Sequence, residues 1–140
     1  MKNKAPLALM EQLIMLLVFS LAAALCLQVF VLSDHLSRSN EVRDRAVTAV
    51  QNAAETLKVC QGDVDACVRL SGGTVEEGQW QIAYDEDWQQ VSVGLAAYQV
   101  VTIPIETTEA CLSSAEVAAQ TAEGERLFNV TVSWQEELYE

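Results

Sequence analysis

The sequence predicts an α+β fold in which a long N-terminal helix packs on a four- to five-stranded antiparallel sheet. Three observations predict it: an apolar run near the N-terminus, a helical stripe of apolar residues directly after it, and a change to two-residue alternation in the C-terminal half. The chain has 140 residues, so one domain of ordinary size can follow the apolar run.

The apolar run extends from Leu13 to Leu32. Its twenty residues include only Ser20 and Gln28 as polar members and no charged one, and about 20 helical residues span a hydrocarbon core. A cleaved secretory signal and a lipoprotein signal are the alternatives, but signal cores are shorter and a bulky leucine precedes Cys26. The run therefore predicts an uncleaved transmembrane helix at residues 7–33, after a short basic leader at 1–6.

Charge is distributed unevenly along the chain. Of the 20 acidic and 8 basic side chains, one acid and two lysines lie in residues 1–33, which leaves residues 34–140 with 19 acidic and 6 basic side chains and a net charge of −13. Two lysines ahead of a signal-like apolar run favour a cytoplasmic N-terminus and an exported head domain at 34–140. The acidic excess argues against nucleic acid and anionic lipid as partners of that domain.

The head domain is predicted to begin with helix, through residues 34–59. Apolar side chains recur there at helical spacing, at Val42, Ala46, Ala49, Val50, Ala53 and Leu57. A short helix near residues 63–70 should follow, capped by Asp63 and stopped by two glycines.

Alternation of apolar and polar residues then predicts strands. "QWQIAY" ends in the acidic turn at residues 85–87, and "YQVVTIPI" gives a strand from Tyr98 to Ile105, with Pro104 at its terminus or edge. Ser113 and Glu116 could form a capping box before an alanine-rich helix. The alternation from Phe128 to Trp134, behind a glycine turn, favours a hairpin instead.

Residues that catalysis and metal binding require are scarce. There is one histidine, His35, directly after the apolar run, and no phosphate-binding glycine loop or zinc-type ligand set. Three carboxylates at 85–87 lack the spaced oxygens of a calcium site. The sequence therefore predicts a non-enzymatic protein without a cofactor or metal site.

Three cysteines lie in the exported part, at positions 60, 67 and 111. An oxidising compartment permits one bridge and leaves one thiol over. The preferred pair is Cys60 with Cys67, which would clip the end of the long helix to the short helix after it. Three reduced thiols are the alternative, because nothing in the sequence fixes the redox compartment.

The N-terminal stretch "KAPLALMEQLIMLLVFSLAAAL" resembles type IV pilins and the pseudopilins of type II secretion systems. The shared features are a short basic leader, a glutamate just inside a long apolar helix, and an antiparallel sheet packed on the continuing helix. Tad-type pseudopilins share several of these features and are not separated from them by this sequence.

The resemblance implies specific roles for three residues. A prepilin peptidase would cut between Pro6 and Leu7, although the family usually has glycine at the first of these positions, and Glu11 would become the fifth residue of the mature chain. In a filament, the amino-terminal charge of a neighbouring subunit would neutralise Glu11. The expected function is a structural, pilin-like or minor pseudopilin subunit.

Two alternatives accompany this expectation. One is an unprocessed single-pass anchored binding domain whose acidic head meets a partner outside the membrane. The other concerns the glutamate alone, since Glu11 beside Gln12 could lie at the headgroup level of an ordinary anchor.

Overall fold

The computed structural model describes residues 4–109 and 111–135 of the chain. The helices are α1 (Ala5–Val59) and α2 (Val64–Ser71), with a single 3₁₀ turn at Val93–Leu95. The strands are β1 (Thr74–Glu76), β2 (Gln79–Tyr84), β3 (Gln90–Val91), β4 (Tyr98–Ile105), β5 (Leu112–Thr121) and β6 (Arg126–Gln135). The predicted α+β class is confirmed.

The sheet is antiparallel throughout, in the order β1-β2-β4-β5-β6, and β3 also pairs with β2. It has six strands in the described part of the chain, where four or five were predicted. The short strands β1 and β3, of three and two residues, account for the larger number.

The chain divides into two compact units, with the boundary between Glu41 and Val42. In the first unit every described residue from Ala5 onward is helical, and every described side chain is exposed. The predicted boundary between transmembrane segment and head domain, at residues 33 and 34, lies within the first unit.

The second unit has its core between the C-terminal part of α1 and one face of the sheet. The predicted stripe on α1 is buried from Ala46 to Leu57. It packs into a cluster with alternate strand residues, namely Trp80, Ile82, Val100, Ala115, Val117, Ala119 and Val132. Helix and sheet thus each bury one apolar face against the other, which is why the two periodicities in the sequence occur together.

Local signals set the connections in the second unit. Asp63 caps α2 by accepting hydrogen bonds from the backbone N–H groups of Asp65 and Ala66 at 3.0 and 3.2 Å. The alanine-rich segment is a strand, because the hairpin of β5 and β6 buries Ala115 and Ala119 on the core face. Pro104 pairs with Ala115 near the end of β4, beyond the residues that pair with β2, as predicted for a strand terminus.

Candidate functional site: the exposed apolar helix and the surfaces of the second unit

The first unit exposes an apolar surface from Leu7 to Leu32. Phe19 and Phe30 are 74% and 75% exposed, and the leucines between them are also open. This is the one helix of the described chain that is long and apolar enough to cross a membrane, with a mean hydropathy of 2.6 over its best window. Soluble proteins rarely leave so large an apolar surface in water, so it indicates single-pass anchoring.

Glu11 interrupts this surface. Its neighbours one helical turn away on the same face are Leu7, Ala8, Ile14 and Met15, all apolar. Within the described residues no cation forms an ion pair with the Glu11 carboxylate. A carboxylate moved into an apolar environment costs several kcal/mol unless a cation accompanies it. Glu11 therefore needs a partner wherever this surface is buried.

The bond between Pro6 and Leu7 lies in the first turn of α1, which begins at Ala5. Proline is tolerated there because the first helical N–H groups have no partner inside the helix. The Ala8 N–H already donates to the Lys4 carbonyl at 3.2 Å. The predicted processing bond is thus enclosed in a hydrogen-bonded turn, although at a helix end, where fraying is easiest.

Cys60 and Cys67 are brought together where α1 gives way to α2. The Asp63 N–H donates to the Cys60 carbonyl at 2.9 Å, and the Cys67 N–H donates to the Asp63 carbonyl at 3.0 Å, which folds the chain back on itself. Burial, together with a hydrogen bond to the Cys60 side chain, raises the pKa of the Cys67 thiol to about 12. The thiols are adjacent and unlinked in the structure, so the disulfide stays a prediction.

An open acidic groove lies at one end of the sheet. It has a volume of about 880 Å³, and its lining includes Asp85, Glu86 and Asp87 from the turn after β2 and Glu123 from the turn after β5. The Asp85 carboxylate caps its own turn, since it accepts from the N–H groups of Asp87 and Gln89 at 2.9 Å each. Among the described residues, no three potential ligands are placed to hold a metal ion.

Sequence reasoning found the acidic turn of this groove but missed its other wall. Glu123 comes close only because β4 and β5 pair, and because the Ala122 N–H donates to the Ala97 carbonyl at 2.9 Å. Aromatic rings support the turn, with Trp88 stacked on Tyr98 at 4.5 Å. Glu123 is far in sequence from the turn at residues 85–87, and no periodicity in the sequence predicts that the two lie close together.

The structure keeps the sequence-predicted residues in separate places. Pro6, Leu7 and Glu11 lie in the first unit, whereas Cys60 and Cys67 lie in the second. Comparison of this chain with protein-family models, with curated proteins and with solved structures finds no match. Function is therefore inferred from the architecture and chemistry of the chain itself.

Proposed function

We propose that this chain is a structural, non-enzymatic subunit of a pilin-like assembly, either a minor pilin or a pseudopilin of a type II secretion-like filament. The observation that carries the proposal is the helix α1. Its described part up to Glu41, which includes the apolar run, has no buried side chain, while its part from Val42 packs on an antiparallel sheet. One helix thus supplies both an anchor and half of a folded core.

The membrane would hold residues 13–32, with the N-terminus in the cytoplasm and the sheet outside. Removal of the leader by a prepilin peptidase would create a new amino group at Leu7, close in sequence to Glu11. When α1 helices of several subunits pack together, the lone carboxylate of one subunit would pair with the amino-terminal charge of its neighbour. Such a pair would set the stagger between subunits.

Replacement of Glu11 tests this role directly. We expect Glu11→Ala and Glu11→Gln to insert into the membrane and to fold like the parent, because Glu11 lies outside the folded core. Both should lose the oligomers that are cross-linked between α1 helices, since neither can neutralise a buried amino group. Gln12→Ala is the matched control, because it removes a polar side chain from the adjacent position and leaves the charge. Oligomer yields equal to the parent in both Glu11 variants would contradict the proposal.

The second candidate is an unprocessed single-pass anchor that carries a binding domain. It is favoured by one observation, the proline at the predicted processing position, held in the first turn of α1. Mass measurement of the membrane-extracted protein separates the candidates, because a processed chain lacks residues 1–6. Pro6→Gly should speed removal of the leader if the remaining motif is recognised, and an intact leader in both forms would favour the plain anchor.

A further inference from the structure

The outer edge of β6 is long and, from Phe128 onward, unprotected. β6 is the last strand of the sheet, and within the described residues nothing pairs with its outer side. The opposite edge strand, β1, has only three residues and ends in Glu76. Proteins usually protect a sheet edge by shortness, charge, proline or a bulge. β6 has ten residues and no proline, and its one charged residue is Arg126.

A bulge at the start of β6 defines the regular part of this edge. Ala119 pairs with Phe128 and Gln120 pairs with Arg126, so Leu127 is the extra residue. From Phe128 onward the register with β5 is continuous. The regular stretch therefore runs from Phe128 to Gln135, and it offers backbone N–H and C=O groups to another extended strand.

The core is also incomplete at this edge. Phe128, Val130 and Trp134 point toward the core face and pack against it, yet all three are only partly buried. An added strand with apolar residues at alternate positions would cover them. Its opposite face should be small and polar, to continue the face that carries Asn129, Thr131 and Ser133.

We infer that the occupant is a second copy of this chain, with β6 paired antiparallel to β6 about a two-fold axis at Thr131. This register places Val130 opposite Val132 of the other copy, and Phe128 opposite its Trp134. Aromatic and β-branched cross-strand pairs of this kind stabilise sheets. On the other face, Thr131 meets Thr131, and Asn129 meets Ser133. The strand is thus complementary to itself, residue by residue.

The distribution of charge also favours the outer edge of β6 as the contact between two copies. Residues 34–140 carry a net charge of −13, so two copies repel over most of their surface. Residues 127–135 contain no charged side chain. Arg126 bonds to Glu116 of its own chain at 2.6 Å, and the two arginines lie at opposite ends of the paired strands. The pairing should therefore strengthen as ionic strength rises, because salt screens the remaining repulsion.

Cysteine cross-linking of the full chain in detergent micelles tests the register. Thr131→Cys should form a dimer on mild oxidation, because directly opposed residues have Cα atoms about 4.5–5.5 Å apart. Ser133→Cys alone should not, because the two copies of position 133 are separated by about 13 Å along the strand. A mixture of Ser133→Cys and Asn129→Cys chains should again cross-link. The linked tryptic peptide, residues 127–140, contains no native cysteine.

A charge variant completes the test. Thr131 is exposed and pairs with Glu116, so Thr131→Lys should fold normally while it places two lysines opposite each other at the two-fold axis. Added to both chains of the Ser133→Cys and Asn129→Cys mixture, Thr131→Lys should reduce cross-linking at least tenfold. Gln99→Lys, on the same face of the sheet but in the central strand β4, should not reduce it. Equal yields from Thr131→Cys and Ser133→Cys, or no effect of Thr131→Lys, would overturn the inference.

Discussion

Replacement of Thr102 by valine tests how β2 and β4 are held together beneath α1. Thr102 is 3% exposed, and its hydroxyl accepts from the Trp80 N–H at 3.0 Å and donates to the Trp80 carbonyl at 2.9 Å. Regular pairing of these strands stops one residue earlier, at Gln81 and Val101. A buried side chain thus replaces the next pair of backbone hydrogen bonds.

The expected loss of stability follows from those two bonds. Valine has nearly the shape of threonine, so Thr102→Val creates no cavity but leaves a buried N–H and a buried C=O of Trp80 without their partner. An unsatisfied buried group costs about 1–3 kcal/mol. Because Trp80 lies near the start of β2, where the backbone can relax, we expect about 2–4 kcal/mol of lost unfolding free energy.

Urea unfolding of the full chain in non-ionic detergent, followed by near-ultraviolet circular dichroism, measures this loss. The three tryptophans all lie in the second unit, so the signal reports on that unit alone. Thr102→Ser is the control, because it keeps the hydroxyl and removes one methyl group, at a cost of about 1 kcal/mol. If the valine variant is as stable as the serine variant, the hydroxyl does not support the sheet as described.

Three further predictions use the same unfolding assay or peptide mapping. Gly73→Ala should lower the free energy of unfolding by more than about 2 kcal/mol, because φ is +91° and a Cβ there would overlap the Gln81 carbonyl. Gly78→Ala, at a position with open space around it, should lower it by about 1 kcal/mol. Equal losses in the two variants would refute the overlap. Protein recovered from an oxidising compartment should carry a Cys60–Cys67 bridge in non-reducing peptide maps, and its reduction should cost about 2–3 kcal/mol. In the reduced protein, the free energy of unfolding should fall as the pH rises from about 8.5. The Cys67 thiol ionises there in the unfolded chain, whereas its pKa in the folded state is about 12. If the free energy of unfolding of a Cys67→Ser variant falls equally steeply with pH, Cys67 is not the cause.

The elements with a strong period or a strong turn signal could be predicted from the sequence. The strand from Tyr98 to Ile105 has the predicted bounds, because alternation and a terminal proline mark it. The helix α2 begins after its predicted cap, Asp63. The alternation from Phe128 to Trp134 and the glycine turn before it favour a hairpin over an alanine-rich helix, and the structure has that hairpin.

Features that depend on contacts between distant residues could not be predicted. Strand β1 has only three residues and none of them is buried, so its pairing with β2 is what makes it a strand. The alternation of β4 predicts that Thr102 lies in a strand, but it does not predict that the Thr102 hydroxyl bonds to the Trp80 backbone. The outer edge of β6 was equally hidden, because strand order is a property of the whole sheet.

Electrostatics connects the two proposals about assembly. The acidic side chains of residues 34–140 oppose close approach of two copies, and the cost grows with the number of carboxylates that a contact brings together. The stretches 12–33 and 127–135 contain no charged residue. The first is an apolar helix surface and the second is an open strand edge, so each can be buried against a copy of itself without burial of a carboxylate.

Glu11 borders the first stretch, and the cation that neutralises its carboxylate would decide how α1 helices are staggered. Thr131 lies on the two-fold axis of the proposed β6 pairing, and a lysine there would disrupt only that contact. Variants at these two positions therefore report on separate contacts: loss of oligomers in Glu11→Gln with normal Thr131→Cys dimers would show that α1 and β6 act independently.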